Sequence, residues 1–278
     1  DRLFPERKLA KGRGGERITV ASLPVRESGF VIDYELLNVD TNNFVFESDK
    51  TYYVSGKLNM GGETKVKGGA VVKMATGAGL NILGTVTCET EAYRPAIFTA
   101  YNDNTAGEVI STEPLSTSQR SADVVFELSN GGNLHDLHIR YATNGIKSIG
   151  NDYTVSHVQF MHCDVAVWIE SATFHVRNVL MYGVGTGFYG RYYHGAAEHM
   201  TFDAGGQVTG DWDFHPGDEG SCGYVSPPSS EIDVYNSLVT SWTPWGIVPV
   251  HAYGTVQTTA AGTYQAVGAG SHDLATNS

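Results

Sequence analysis

Across residues 134–205 the apolar positions recur at a fixed offset of 21 along the chain. Leu134, Val155, Val176 and Ala197 fall in one column, Leu137, Val158, Val179 and Met200 in a second, and Ile139, Phe160, Met181 and Phe202 in a third. A fourth column, Ile146, Val167 and Phe188, follows a small residue at Gly145, Ala166 and Gly187, which reads as a turn position. Within each unit apolar residues alternate with polar ones, the two-residue period of a strand, and no stretch sustains helical spacing. A short repeat of strands and turns predicts a solenoid whose coils pair in parallel at roughly 4.8 Å per coil, stacking like residues into ladders.

The same grammar extends in both directions. Residues 51–60, 64–74, 80–87 and 96–100 read as strands, with Gly61-Gly62, Gly68-Gly69, Gly77 and Gly79 as turn residues. Residues 102–122 are Ser/Thr-rich and aperiodic, which predicts a long loop bulging from a coil. Downstream, Val234, Asn236 and Leu238 repeat Val176, Asn178 and Leu180 at an offset of 58, five short of three periods, so irregular coils with an insertion at 205–231 are expected. The organisation predicted is an N-terminal basic arm and cap over 1–44, a parallel β-helix over 45–255, and an acidic C-terminal tail or cap over 256–278. The apolar patch 30–37 would fold over the first coil, because open solenoid ends invite association.

These columns, with the phrases GGAVVKM (68–74) and GLNILGTVTCET (79–90), resemble the right-handed parallel β-helix of the pectin-lyase-like superfamily, and within it secreted β-helix repeat proteins of unassigned function. The resemblance covers roughly residues 45–255. It implies an all-β, single-stranded right-handed parallel β-helix (solenoid) and an extracellular or cell-surface location. In the superfamily's enzymes a groove on an outward face carries the chemistry. Lyases use Lys or Arg to take the proton beside a uronate carboxylate neutralised by Ca2+, and hydrolases use paired carboxylates. The polygalacturonase-like set is absent, and only accidental fragments of it occur at 193–195 and 138–140. A lyase-like cluster on adjacent coils is assembled from Asp136, His138, Arg140, Lys147 and Arg177.

Outward columns offer other chemistry. His135, Ser156, Arg177 and Glu198 form one; Arg140, Met161, Tyr182 and Asp203 another; Lys147, Trp168, Tyr189 and Gly210 a third. Trp168, Tyr182, Tyr189, Tyr192 and Tyr193 suggest an aromatic strip able to stack on sugar rings, or else cross-strand pairs that stabilise the sheet. The column Asp136, His157, Asn178, His199 and Asn236 is polar throughout and predicts side chains hydrogen-bonded along the axis at a turn. His157 and His199 lie two coils apart, too far to share a metal ion. In the insertion, Asp211, Asp213, Asp218 and Glu219 with His215 offer oxygens to Ca2+, but EF-hand spacing is not met and a solvated acidic loop is the preferred reading.

Composition narrows the classes further. The chain is 41% hydrophobic and 17% charged, which describes an ordered protein, and no apolar run approaches the roughly 20 residues of a membrane span. A net charge of −12 opposes nucleic acid as a main partner. Residues 1–26 carry seven basic side chains, whereas no Lys or Arg follows Arg191 and nine acids do. That asymmetry reads either as a solvated basic terminus, the plainer account, or as an electrostatic arm by which copies dock head to tail. Cys88, Cys163 and Cys222 form no zinc or disulfide framework, and the first two are expected as buried free thiols. The start shows no secretory leader pattern, and an initial Asp suits a processed or excised chain. Together these features lean away from an enzyme and toward a structural, adhesive or self-assembling surface module that contacts polysaccharide, with no cofactor required. A polysaccharide lyase or glycoside hydrolase acting on an acidic polysaccharide is the alternative.

Overall fold

Each coil lays short strands on three faces because its apolar residues alternate, and every second side chain must point into a shared interior. The computed structural model describes residues 34–191, 194–203, 215–216, 231–235, 237–240, 250–253, 255–258 and 264–267. All belong to one unit, Asp33–Ser278. The molecule is all-β, a parallel β-solenoid, as the repeat predicts.

Face 1 runs from Tyr34–Leu37 through Thr51–Val54, Val71–Met74 and Ala96–Ala100 to the second half of Gly132–Arg140. It continues through Tyr153–Met161, Leu180–Tyr182, Thr201–Asp203, Leu238–Thr240 and Thr255–Thr258. Face 2 includes Glu63–Lys67, Thr85–Glu89, the first halves of Gly132–Arg140 and Tyr153–Met161, then Thr173–Arg177, His194–Glu198 and Glu231–Tyr235. Face 3 includes Lys57–Gly61, Gly79–Ile82, Ala122–Leu128, Ala142–Ile149, Val165–Glu170 and Thr186–Arg191.

The predicted columns are ladders in register. Ile139 pairs Phe160, Phe160 pairs Met181, and Met181 pairs Phe202, all four with no exposed surface. Leu134, Val155, Val176 and Ala197 form a second buried file, and Ile146, Val167 and Phe188 a third. Burial of each large side chain stabilises the rod by about 1.5–3 kcal/mol, and stacking like on like lets every coil reuse the same interior shape. In the N-terminal coils the interior is instead an aromatic run. Tyr52 meets Phe46 at 5.2 Å, Phe46 meets Phe98 at 6.1 Å, and Phe98 meets Phe126 at 4.6 Å between ring centroids.

The faces join at corners. Gly132–Arg140 and Tyr153–Met161 are each continuous strands that bend at one residue, Asp136 (φ 51°) or His157 (φ 54°). Asn178 and His199 occupy the same left-handed conformation one and two coils on. A second corner repeats at Tyr141, His162 and Gly183.

Several expectations are corrected by the structure. The strands expected at 51–60, 64–74 and 80–87 are each two strands, because the chain turns a corner at Ser55-Gly56, Gly68–Ala70 and Leu83-Gly84. Gly145, Ala166 and Gly187 are not turn residues but positions inside face 3 strands. A Cβ on Gly145 would sit 2.7 Å from the Phe160 ring, so packing, not a turn, demands a small residue there. From Val176 to Val234 there are two coils, since Val176 pairs Ala197 and Ala197 pairs Val234; the second is lengthened by the insertion. That insertion also shifts the partner of Tyr189 from Gly210 to His215.

The ends differ from the predicted caps as well. Tyr34–Leu37 is not a cover but the first rung of face 1, in parallel with Thr51–Val54, so the solenoid begins before position 45. At the other end it extends past 255: Thr255–Thr258 pairs Leu238–Thr240 in parallel, and Tyr264–Val267 adds antiparallel on its far edge. On face 1 that reversal occupies the hydrogen-bonding edge a further coil would use. The arm 1–26 lies outside the described residues.

Candidate functional site

In the strand Val71–Met74 both Val72 and Met74 are fully buried inward, so alternation forces Lys73 outward. An outward lysine on a solenoid face should be solvated, yet Lys73 has no exposed surface. The reason is the segment 101–121, which does not bulge away as expected but folds back as a strap across the outer surface of face 1.

The strap touches four successive rungs. The Glu108 amide donates to Thr51 Oγ1 at 3.0 Å, and Lys73 Nζ donates to the Glu108 carbonyl. Thr99 Oγ1 donates to Asp103 Oδ2 at 2.6 Å, while the Thr105 amide and hydroxyl donate to Asp103 Oδ1 at 3.0 and 2.6 Å. Arg140 Nη1 lies 3.6 Å from Asp103 Oδ2 and 3.4 Å from Thr105 Oγ1. Toward its end the strap is pinned by Arg120, whose Nε donates to Asp164 Oδ1 at 2.6 Å. Asn102 and Gln119 exchange amide hydrogen bonds that tie its two ends together.

The electrostatics centre on one carboxylate. Burial by itself would raise the Asp103 carboxyl, but hydrogen bonds from Thr105 and Thr99 and the charge of Arg140 outweigh it and hold the group below its ordinary value. Burial lowers the Lys73 ammonium, and the negative charges of Asp103 and Glu108 oppose that. His138, on the same rung as Arg140, is lowered by burial and then by the Arg140 charge, which keeps the ring neutral at neutral pH. Arg140 Nε is buried and finds no acceptor among the described residues. The arrangement is a cationic recess built on face 1 and filled by the strap's own acid.

The lyase-like candidates do not converge. His138 and Arg140 share face 1, with Arg140 Nη2 3.5 Å from His138 Nδ1. Asp136 sits at the corner beside them and takes His135 Nδ1 at 2.8 Å. Lys147 is on face 3, 3.0 Å from Glu127 Oε1 and 5.2 Å above the Trp168 ring. Arg177 is on face 2, with Nε 3.9 Å from Glu198 Oε2. A single coil carries the chain around all three faces, so nearness in sequence does not place these side chains on one of them.

The aromatic strip is likewise divided. Trp168 and Tyr189 are neighbours on face 3, edge to face at 4.8 Å. Tyr182 belongs to face 1, where it packs edge-on to His162 at 5.5 Å. Tyr192 and Tyr193 lie outside the described residues, as do Asp211, Asp213, Asp218, Glu219 and Cys222.

The polar corner column stacks in register and, among the described residues, holds one side-chain hydrogen bond along the axis, between His157 and Asn178, while its predicted member Asn236 lies outside the described residues. His157 Nδ1 approaches Asp136 Oδ1 at 3.7 Å, and its Nε2 meets Asn178 Nδ2 at 2.9 Å. Among the described residues, no group of three or more His, Cys, Asp or Glu side chains is placed to hold a metal ion. No helix among them is long and apolar enough to cross a membrane. Cys88 and Cys163 are free thiols, and burial pushes the pKa of each up to about 11.

Lys73, Thr99 and Asp103 were not candidates in the sequence. The available signal was a lysine inside the apolar run AVVKM, one coil before a long polar insertion. No protein-family model matches the chain, and neither the curated proteins nor the solved structures contain a match.

Proposed function

We propose that the chain is a non-catalytic surface module, extracellular or cell-surface, whose rigid solenoid plays a structural or adhesive role. The observation that carries this reading is the separation of Arg140, Lys147 and Arg177 onto three faces, each engaged with neighbouring side chains. Charges on the described faces are largely matched from rung to rung, as in Glu47–Lys67 and Glu127–Lys147. Such matching suits a surface that holds its shape. On face 3 the Lys147–Trp168–Tyr189 ladder supplies a cationic and aromatic step of the kind that stacks on sugar rings. The basic segment 1–26 and the acidic residues after Arg191 support head-to-tail assembly of copies.

The period-based resemblance to the pectin-lyase-like superfamily supports the second reading, an acidic-polysaccharide lyase, by fold analogy alone. Incubation with a panel of acidic polysaccharides and Ca2+, followed by the ultraviolet absorbance of unsaturated product, tests between them. The scaffold reading expects no product; turnover abolished by Arg140→Ala overturns it. Sedimentation at low and high salt tests assembly: oligomers should dissociate as screening shortens the Debye length, and a monomer at every salt concentration rejects it.

A further inference from the structure

The outer surface of face 1 is a row of polar groups lying along the rod, with Lys73, Thr99 and Arg140 as donors and Thr51 as an acceptor. Thr51, Lys73, Thr99 and Arg140 come from four consecutive rungs, so they extend over roughly 14 Å at about 4.8 Å per rung. The strap crosses them perpendicular to the strands, its 101–108 portion folded into turns and bends with Gly107 at φ 60°. What the row recognises in it is specific: one carboxylate at Asp103, and the amide and carbonyl of Glu108. The donor set is not exhausted, because Arg140 Nε is buried without an acceptor among the described residues and a guanidinium can take a carboxylate on two nitrogens.

We infer that the surface formed by Thr51, Lys73, Thr99 and Arg140 is a binding site for an acidic peptide turned as the strap is, which residues 101–121 occupy in cis. The fitting partner carries a carboxylate followed by free main chain at the interval that separates Asp103 from Glu108; the strap of a second copy has that chemistry. Peptide is favoured over polysaccharide because two of the contacts are to main-chain N–H and C=O, groups a sugar chain does not offer in that spacing. Such a site does not depend on the scaffold reading. A tether of this length sets an effective concentration on the order of millimolar, so an intact chain resists a competing peptide until comparable concentrations are reached.

The test replaces residues 101–121 with a short linker of the length that 75–78 spans in the coil below, with circular dichroism checking the β fold. A synthetic peptide of sequence 101–121 is then titrated in. Binding is expected, weakened at least tenfold by Asp103→Asn in the peptide and by Arg140→Gln in the receptor. No binding to the folded variant, or equal binding of the D103N peptide, overturns the proposal. So does polygalacturonate competing as well as the peptide, which makes the row a general anion groove. Should the shortened chain not fold, full-length Asp103→Asn serves instead. It should bind the wild-type strap peptide at least tenfold more tightly than the unaltered chain does, and unchanged affinity rejects the inference.

Discussion

The coils over 132–203 and those over 34–100 build the same rod by different means. In the first group each ladder advances by one constant interval, two strands run unbroken around a corner, and the bend falls on a side-chain-bearing residue such as Asp136, His157 or Asn178. Such residues carry a conformational penalty of roughly 1–2 kcal/mol that is smaller for Asn and Asp, and the His157–Asn178 hydrogen bond along the axis offsets part of it. In the second group the interval varies, left-handed corners fall on Asn43 and Asp49 as well as on Gly62, Gly69 and Gly77, and face 1 is covered by the strap. Regularity is therefore self-supporting: a corner ladder works only if each coil returns to the same left-handed bend, which Asp136, His157, Asn178 and His199 all adopt. Irregular coils rely on close backbone approach and an added covering segment.

The sharpest break separates the two interiors. Phe160→Ala removes a ring from the middle of a continuous file and should cost about 3–5 kcal/mol in urea unfolding. A loss under about 1 kcal/mol would mean the file does not support the regular half. In the irregular half, Gly84→Ala places a Cβ against the Gly62 carbonyl oxygen and should cost about 1–3 kcal/mol, with no side-chain contact removed.

Corners give the next contrast. Asn178→Ala should cost about 1–2 kcal/mol, since it strains a left-handed position and ends the bond to His157, whereas Asn178→Gly should recover much of that loss. Equal losses would show that strain plays no part.

The strap predicts a pH dependence centred on Asp103, which links Thr99 of the irregular coils to Arg140 of the regular ones. The folded Asp103 value lies below its unfolded 3.8, so its contribution is complete above about pH 4 and is lost as pH falls through the folded value. Urea midpoints between pH 2 and 6, a range of roughly two units either side of the unfolded value, should fall less steeply for Asp103→Asn than for the unaltered chain. Parallel curves would remove Asp103 as the centre of the network. Least is expected on face 3: Lys147→Ala should change stability by less than about 1 kcal/mol, because its ion pair and ring contact are partly open to solvent.

How much of this was legible follows from how contacts repeat. Ile139, Phe160, Met181 and Phe202 touch because they recur at one interval, and a period that aligns them in sequence also aligns them in space. The polar corner column was legible for the same reason, although nothing in the residue types marked His157 as left-handed. The candidate site was not legible. Lys73 and Asp103 are separated by an interval outside any period, and their meeting depends on which way an aperiodic segment folds.

The solenoid, its repeat and its interior files were thus written into the chain itself, since in a one-dimensional stack each coil meets only its neighbours and local pattern is global pattern. Which outward residues share a face, where the chain bends, and that the strap closes over Lys73 emerged only on folding. Those outcomes rest on contacts whose partners are set by the path of a loop rather than by a repeating interval.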